Sequence, residues 1–222
     1  MELAPFIDHT VLKNVTTIGD IARICTEALQ FGFAAVCVPP YFVQDAKKLL
    51  EGSSVNVATV IGFPFGYHHY RTKQEESTMA LADGADELDM VMNLSAFKSN
   101  DLAYVETEVE TISRLTQEAG KTLKVIIESG ILTDEEIIRC CNLYRHFPVQ
   151  YLKTSTGYAE KGASVDAVRL MRQNLPDHIS IKASGGIKTA AFAEALVAAG
   201  ATRLGCSASV AIISGETGSS NY

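Results

Sequence analysis

The chain has 222 residues, of which 47% are hydrophobic and 20% are charged, and its net charge is −7. This composition is typical of a globular protein, and α/β barrels of this length form a single domain. The acidic balance disfavours nucleic acid and anionic membranes as partners, and the absence of a run of 18 apolar residues argues against a membrane span.

The N-terminus lacks a basic region followed by an apolar segment, so no secretory signal is predicted. The five cysteines, at positions 25, 37, 140, 141 and 206, are odd in number and show no C-x-x-C spacing. Such cysteines are typical of reduced, mostly buried thiols. We therefore expect a cytoplasmic protein, since cytoplasmic thiols stay reduced.

The first half of the chain alternates apolar runs with segments of helical periodicity. Strands are predicted at residues 6–8, 34–38, 55–61 and 87–93. Helices are predicted at about 18–29, 41–50, 72–83 and 102–119. Gly32 ends the first helical pattern and Pro39-Pro40 stops the second strand, as these residue types commonly do.

The second half continues the alternation. Strands are predicted at residues 123–128, around Lys153, around Lys182 and at 202–205. Helices are predicted from Thr133, from about Ser164, and over 190–199 and 208–213. Thr133 and Glu136 have the spacing of a capping box, which marks a helix start.

Eight predicted strands separated by helices favour parallel β-α-β units. Eight such units in this length predict a (β/α)8 TIM barrel, formed by a single domain over residues 1–222. An open doubly wound sheet is the alternative, but no G-x-G-x-x-G turn follows an early strand. Residues from about 214 to 222 are rich in Gly and Ser, and we expect a flexible tail there.

Two lysines stand out because each lies near the end of a predicted strand and precedes a turn rich in Gly, Ser and Thr. Lys153 and Lys182 are separated by about the length of one strand-helix-strand unit, so neighbouring strands would bring their amines into one pocket. A second cation nearby lowers the pKa of a lysine and makes its amine nucleophilic. The pair therefore predicts Schiff-base chemistry, whereas two ordinary solvated lysines are the alternative.

The faces of the predicted strands separate apolar residues from charged ones. The outer face would hold Val36, Val38, Leu88, Met90, Val125, Ile127, Leu152 and Ile181. The inner face would hold Cys37, Glu87, Asp89, Asn93, Lys124, Glu128, Lys153 and Lys182. Charges inside a barrel are costly unless paired, so we expect its three lysines and three acids to form one network.

Two aspartates are further candidates for the site. Asp89 is a candidate proton shuttle or lysine partner, with a purely structural salt bridge as the alternative. Asp8 is a candidate contact for a sugar hydroxyl or for the lysine network.

Three late turns favour an anion-binding site. The turns at Gly157, at Gly185-Gly186 and at 205–207 present backbone N–H groups ahead of helices, an arrangement that holds phosphate. Plain turn chemistry is the alternative. The candidate substrate- and phosphate-binding residues are Asp8, Thr154, Gly157, Gly185, Gly186, Lys188, Gly205 and Ser207.

Other residue types give weaker signals. His9 and His68-His69 match no usual zinc-ligand spacing, so neither a metal nor another cofactor is expected. Cys37 faces the predicted pocket but has no triad partner. Tyr222 ends the chain, where a phenol could fold back over the pocket as a proton carrier or belong to a disordered end.

Several motifs resemble those of the deoxyribose-phosphate aldolase family, in the same order and over nearly the whole chain. They are Ile7-Asp-His-Thr10, Thr59-Val-Ile-Gly-Phe-Pro64, Glu87-Leu-Asp-Met-Val-Met-Asn93, Leu123-Lys-Val-Ile-Ile-Glu128, Lys153-Thr-Ser-Thr-Gly157, Lys182-Ala-Ser-Gly-Gly-Ile187 and Gly205-Cys-Ser207. The resemblance implies a class I aldolase on a (β/α)8 barrel. Such an enzyme reversibly cleaves 2-deoxy-D-ribose 5-phosphate to D-glyceraldehyde 3-phosphate and acetaldehyde, without metal or cofactor.

The resemblance also implies residue roles. Lys153 would be the Schiff-base nucleophile, Lys182 the cation that lowers its pKa, and Asp89 the proton donor and acceptor. Tyr222 matches a terminal tyrosine that moves a proton in some members. The phosphate-loop positions would be Gly157, Gly185, Gly186 and Ser207, with Lys188 where the family often has arginine.

The implied partners are a sugar phosphate and acetaldehyde, and a homo-oligomer, dimeric or tetrameric, is expected. The implied pathway is the breakdown of deoxyribonucleosides. Two alternatives remain at this point. One is another phosphosugar barrel enzyme, such as an isomerase or epimerase, and the other is a non-catalytic sugar-phosphate sensor.

Overall fold

Eight parallel strands close into a barrel in the computed structural model, which describes residues 1–218. Each strand pairs with its neighbours in the sequence, and the last strand pairs with the first. The strands are β1 (Ile7–Thr10), β2 (Ala35–Val38), β3 (Asn56–Ile61), β4 (Glu87–Val91), β5 (Thr122–Ile126), β6 (Tyr151–Lys153), β7 (Ser180–Ser184) and β8 (Arg203–Cys206). The predicted TIM barrel is confirmed, and the alternative of an open sheet is wrong.

Helices surround the barrel. Within residues 1–218 they are α1 (Ile18–Phe31), α2 (Val43–Leu49), α3 (Tyr70–Ala82), α4 (Leu94–Lys98), α5 (Leu102–Glu118), α6 (Asp134–Tyr144), α7 (Val165–Asn174), α8 (Ala190–Ala198) and α9 (Ser209–Ile213). The capping box predicted at Thr133 is present, and Thr17 forms another with Asp20 at the start of α1. Gly32 ends α1 in a left-handed conformation, which glycine adopts without a steric penalty.

The sequence misplaced some element ends. Phe6 belongs to a short 3-10 helix, so β1 begins one residue later than predicted. The fourth strand was predicted to continue to residue 93, but β4 ends at Val91. Asn93 instead caps α4, a helix that was not predicted, and its side-chain oxygen accepts a hydrogen bond from the N–H of Ala96 at 3.0 Å.

The interior of the barrel has an apolar part and a charged part. The outer-face strand residues pack with the helices in the main hydrophobic core. A separate apolar cluster lies at β1 to β3, and we call it the apolar wall. It consists of Leu12, Cys37, Ala58 and Val60, with Phe63 packed against it. The prediction that Cys37 lies apart from Val36 and Val38 is therefore confirmed.

A buried ion pair outside the barrel fixes the C-terminal end of β4. Lys73 on α3 donates to Glu108 on α5 at 2.6 Å and to the carbonyl of Val91 at 2.7 Å. The second carboxylate oxygen of Glu108 accepts from the N–H of Asn93 at 2.9 Å. Because both charged side chains are fully buried, they hold two helices rigidly against the strand that carries Asp89.

Candidate active site

A layer of paired charges, which we call the charged layer, fills the interior beside the apolar wall. It contains more cations than the sequence suggested. Its cations are Lys124, Lys153, Lys182 and Arg203, and its anions are Asp8, Glu87 and Asp89.

Asp89 on β4 connects three lysines from three strands. One carboxylate oxygen accepts from Lys153 and from Lys182, each at 2.7 Å, and the other accepts from Lys124 at 2.7 Å. The amines of Lys153 and Lys182 are therefore close neighbours, because both bonds end on one oxygen atom. The predicted shared pocket is confirmed, and in the barrel the two residues are register partners on β6 and β7.

Asp8 extends the charged layer to the last strand. One of its carboxylate oxygens contacts the amine of Lys182, and the other accepts from Arg203 at 2.6 Å. Arg203 also lies 3.1 Å from Glu87, which pairs with Lys124. The prediction that Asp8 contacts the lysine network is confirmed.

Sequence reasoning missed Arg203. It begins β8, opposite Lys182 in the register of β7 and β8. Alternation along β8 would have placed it on the same face as Gly205, which was already a candidate. The signal was therefore present, but a charged residue at the start of a strand is more often solvated than buried.

Burial and neighbouring charge act differently on the two strand-end lysines. Burial lowers the pKa of Lys153, and the ammonium of Lys182 lowers it further, while Asp89 opposes both effects. Burial also disfavours the charge on Lys182, but the carboxylates of Asp8 and Asp89 outweigh it and raise its pKa well above the ordinary value. Lys153 is thus the lysine that more readily becomes a neutral amine.

Neighbouring cations keep the carboxylates of Asp89 and Asp8 ionised. Burial opposes the charge on Asp89, yet Lys124, Lys153 and Lys182 together hold its pKa well below the ordinary value. Asp8 is likewise buried, and Lys182 leads the cations that lower its pKa. With all groups charged, four cations face three anions, and a neutral Lys153 balances the layer.

The turns after β6 and β7 pack closely together at the C-terminal end of the barrel. Gly157, Gly185 and Gly186 all have positive φ, at 88°, 86° and 77°. A Cβ on Gly185 would lie 3.2 Å from the Cα of Gly157 and 3.1 Å from that of Gly162. Such close backbone approach needs glycine and leaves backbone groups at the mouth of the barrel.

The remaining phosphate-loop candidates differ in exposure. Gly186 is exposed, and Lys188 and Ser207 are partly exposed, whereas Gly205 is buried. Thr154 is also buried, and its hydroxyl accepts from the N–H of Ser184 on β7 at 3.1 Å. We infer that Thr154 ties two strands together below the loops.

Comparison with known proteins gives one consistent result. The model of the DeoC/LacD family aldolases matches residues 3–215. The chain belongs to the DeoC/LacD family of aldolases. A deoxyribose-phosphate aldolase of Aciduliprofundum boonei is 46% identical over 96% of both chains, and one of Oceanobacillus iheyensis is 46% identical over the full length of both.

A solved structure shows the same fold. The tetrameric deoxyribose phosphate aldolase of Aeropyrum pernix is 32% identical and matches with a TM-score of 0.89 over 96% of this chain and 89% of that one. By family this chain is an aldehyde-lyase, and the charged layer lies in the interior of an aldolase barrel.

Two residues predicted for the inner face of the aldolase barrel lie elsewhere. Asn93 follows β4 and caps α4. Glu128 lies two residues beyond β5 with a φ of 54° and accepts a hydrogen bond from the N–H of Thr156 at 3.2 Å. The predicted network of Lys124, Lys153 and Lys182 therefore contains Asp8 in place of Glu128, since β5 ends before this acid.

The mouth of the aldolase barrel is bordered by aromatic rings. Phe63 lies edge-on to Tyr158 with ring centroids 5.4 Å apart, and the hydroxyl of Tyr158 donates to the carbonyl of Leu12 at 2.9 Å. These contacts join the loop after β6 to the loops after β1 and β3. The apolar wall therefore continues up to the opening.

His9 contacts groups outside the charged layer, and Cys37 is a neutral thiol. His9 points away from Asp8 and contacts Ser209 at 2.8 Å and Glu27 at 2.5 Å. Burial raises the pKa of Cys37 to about 11, so it is a neutral thiol near pH 7. Across residues 1–218, no group of three His, Cys, Asp or Glu side chains forms a metal site.

The C-terminal segment returns to the phosphate-loop candidates. The N–H of Gly218 donates to the carbonyl of Lys188 at 2.8 Å. Part of the segment predicted to be a flexible tail thus packs near the turn after β7. Tyr222 lies outside the described residues, so its role remains a prediction. No helix within residues 1–218 has the length and apolar character needed to cross a membrane.

Proposed function

We propose that this aldolase reversibly cleaves 2-deoxy-D-ribose 5-phosphate to D-glyceraldehyde 3-phosphate and acetaldehyde through a Schiff base on Lys153. The observation that carries the proposal is the single Asp89 oxygen shared by the amines of Lys153 and Lys182. Burial and the second ammonium favour the neutral amine that imine formation requires. The relatives from Aciduliprofundum boonei and Oceanobacillus iheyensis, each matched over at least 96% of its length, are both named deoxyribose-phosphate aldolases.

The reaction begins with attack of the neutral Lys153 amine on the C1 aldehyde of the open-chain sugar. The carbinolamine loses water and becomes an iminium ion. Proton transfers to and from the carbinolamine require groups within hydrogen-bond reach. Lys182 and Asp89 are those groups, because one oxygen of Asp89 is hydrogen-bonded to the amines of both Lys153 and Lys182.

Cleavage then breaks the C2–C3 bond. A water molecule takes the proton of the C3 hydroxyl, the electrons of the C2–C3 bond move toward the iminium nitrogen, and D-glyceraldehyde 3-phosphate leaves. The remaining enamine takes a proton at C2, and water hydrolyses the resulting iminium to acetaldehyde and the free Lys153 amine. The apolar wall opposite the amines suits the methyl group that forms.

The phosphate is assigned to the turns after β6, β7 and β8. Gly157, Gly186 and Ser207 are at least partly exposed at the same end of the barrel, and Lys188 adds a positive charge. Contacts far from the reacting carbons orient the substrate and lower the barrier through binding energy.

Reductive trapping tests the proposal. The protein is mixed with acetaldehyde and borohydride, and the modified peptide is mapped by mass spectrometry. One ethyl group on Lys153 supports the proposed nucleophile. An isomerase, an epimerase or a sugar-phosphate sensor would bind the sugar phosphate without forming the adduct, and that outcome would remove the proposal.

Lys182→Met is expected to move the acidic limb of the activity profile to higher pH by about two units. The reason is that both amines lie 2.7 Å from one oxygen of Asp89, and removing a cation that close raises the pKa of Lys153, so less of the amine is neutral at a given pH. The measurement is kcat/KM against pH. Lys48→Met on the exposed face of α2 is the matched control. An unshifted profile in a still active Lys182→Met protein would contradict the assigned role.

Ser207→Asp is expected to raise the KM for 2-deoxyribose 5-phosphate about tenfold or more, because a carboxylate beside the phosphate repels it. Activity on unphosphorylated 2-deoxyribose should change little. Ser54→Asp adds the same charge in the exposed loop before β3, at the opposite end of the barrel, and serves as the control. Equal loss on both substrates would remove Ser207 from the phosphate site.

The assembly and pathway are also proposals. The Aeropyrum pernix relative is tetrameric, which supports self-association of this chain. Phe65 and Tyr67 stack on the surface with 60% and 59% of their areas exposed, and burial in an assembly would remove them from water. Light scattering coupled to size-exclusion chromatography measures the mass of the assembly in solution. The reaction would serve the breakdown of deoxyribonucleosides.

A further inference from the structure

Arg203 is the one arginine among the four cations of the charged layer and has no part in the reaction steps above. It begins β8, at the end of the barrel opposite the mouth, and only 13% of its side chain is exposed. The groups that face it come from four strands. They are Asp8 on β1, Glu87 on β4, Tyr151 on β6, whose ring centroid is 5.4 Å away, and Lys182, its register partner on β7.

A chain of ion pairs leads from Arg203 to the proposed nucleophile. Arg203 holds one oxygen of Asp8, and the other oxygen contacts Lys182. Lys182 in turn shares an oxygen of Asp89 with Lys153. The position of Lys182 beside Lys153 therefore depends on a carboxylate that Arg203 orients.

The charge balance gives Arg203 a second effect. An arginine stays protonated in proteins, so it always contributes a positive charge. Within residues 1–218, Lys153 has Asp89 as its one carboxylate partner, whereas Lys182 has both Asp8 and Asp89. Loss of a proton from Lys153 therefore removes the excess positive charge of the layer more easily than loss of a proton from Lys182.

We propose that Arg203 is a positioning residue for the imine chemistry of Lys153. It fixes Asp8, and with it the ammonium of Lys182. It also supplies a permanent positive charge that favours the neutral form of the Lys153 amine. This inference rests on the proposed function, because it concerns the reactivity of the nucleophile assigned there.

The distance between Arg203 and Lys153 sets how far the charge of Arg203 shifts the pKa of the Lys153 amine, beside the groups that already face that amine. Asp89, Lys182 and the neutral thiol of Cys37 face its amine, and Glu128, two residues beyond β5, also interacts electrostatically with Lys153. Strands β6 and β8 are two strand spacings apart, or about 10 Å. At an effective dielectric constant near 20, one charge at that distance shifts a pKa by about one unit.

The experiment compares Arg203→Met with the parent protein. Acetaldehyde is trapped on Lys153 with cyanoborohydride across the pH range in which lysine titrates, and the trapping rate is followed by peptide mapping. The midpoint is expected to rise by about one pH unit in the variant. Arg203→Lys, which keeps the charge, should return the midpoint toward that of the parent.

Arg172→Met is the matched control, because that arginine donates to the carbonyls of Leu175 and Ile179 outside the barrel interior. It should leave the midpoint unchanged. If Arg203→Met does not fold, Arg203→Gln replaces it, since glutamine keeps hydrogen-bond donors without the charge. Thermal unfolding of each variant reports whether it folds.

The outcomes separate the two proposals. No adduct on Lys153 in the parent protein overturns the proposed function itself. An adduct in the parent, with the same midpoint in Arg203→Met or Arg203→Gln, leaves the aldolase mechanism intact and overturns the inference. A midpoint in Arg203→Lys that is displaced as far as in Arg203→Met also overturns the charge argument.

Discussion

Replacing Lys153 with methionine is expected to lower turnover by at least about 10⁴-fold, because no other amine would form the productive imine. The adduct with acetaldehyde and borohydride should disappear. Stability should not fall with activity, since the substitution removes the excess cation from a buried layer of four cations and three anions. We expect the Lys153→Met protein to unfold at or above the temperature of the parent.

Activity assays, peptide mapping and thermal unfolding check this expectation on one preparation. Lys48→Met, on the exposed face of α2, is the control and should keep both turnover and trapping. An ethyl group on Lys182 in the Lys153→Met protein would exchange the roles of the two lysines. A large loss of stability would show that Lys153 is held as a charged residue.

Replacing Asp89 with asparagine is expected to damage both stability and chemistry. The variant would leave the ammonium groups of Lys124 and Lys182 without their shared carboxylate. Breaking a buried ion pair by removing one partner costs about 3–5 kcal/mol of unfolding free energy. Trapping on Lys153 should slow as well, because the carboxylate that positions its amine is lost.

The stability difference between the parent protein and Asp89→Asn should depend on pH. The pKa of Asp89 is far below its ordinary value in the folded protein, so its stabilisation is present above the unfolded pKa of about 4. That stabilisation is lost as the pH falls toward the folded pKa. The stability difference between parent and Asp89→Asn should therefore narrow in acid.

Denaturant unfolding at several pH values measures this difference. Asp166→Asn on the exposed surface of α7 is the control and should leave stability unchanged at every pH. A constant difference between parent and Asp89→Asn down to strongly acidic pH would contradict the assigned ionisation of Asp89.

The sequence predicted the barrel because strand and helix periodicities alternate regularly. It also predicted the meeting of Lys153, Lys182 and Asp89, since alternation along a strand fixes which side chains face inward. This rule fails where a strand ends early, and so it misplaced Asn93 and Glu128.

Contacts between segments far apart in the chain were harder to predict from the sequence. Nothing near Lys73 or Glu108 indicates that they pair, because they lie on separate helices and meet only in the folded chain. Arg203 was overlooked for a different reason. Its burial depends on carboxylates from β1 and β4, and a strand boundary gives no sign of partners that far along the chain.

The unequal walls of the barrel interior have a stereochemical consequence. The enamine proposed on Lys153 would be planar and would lie between the ammonium groups of the charged layer and the apolar wall, which contains Leu12 and Val60. Its two faces are therefore not equivalent. When the reaction runs toward carbon–carbon bond formation, the new stereocentre is the carbonyl carbon of the incoming aldehyde, and its handedness depends on which face of that carbonyl meets the enamine. A charged wall and an apolar wall favour one orientation of the aldehyde, so the new carbinol centre is expected to form with a single handedness.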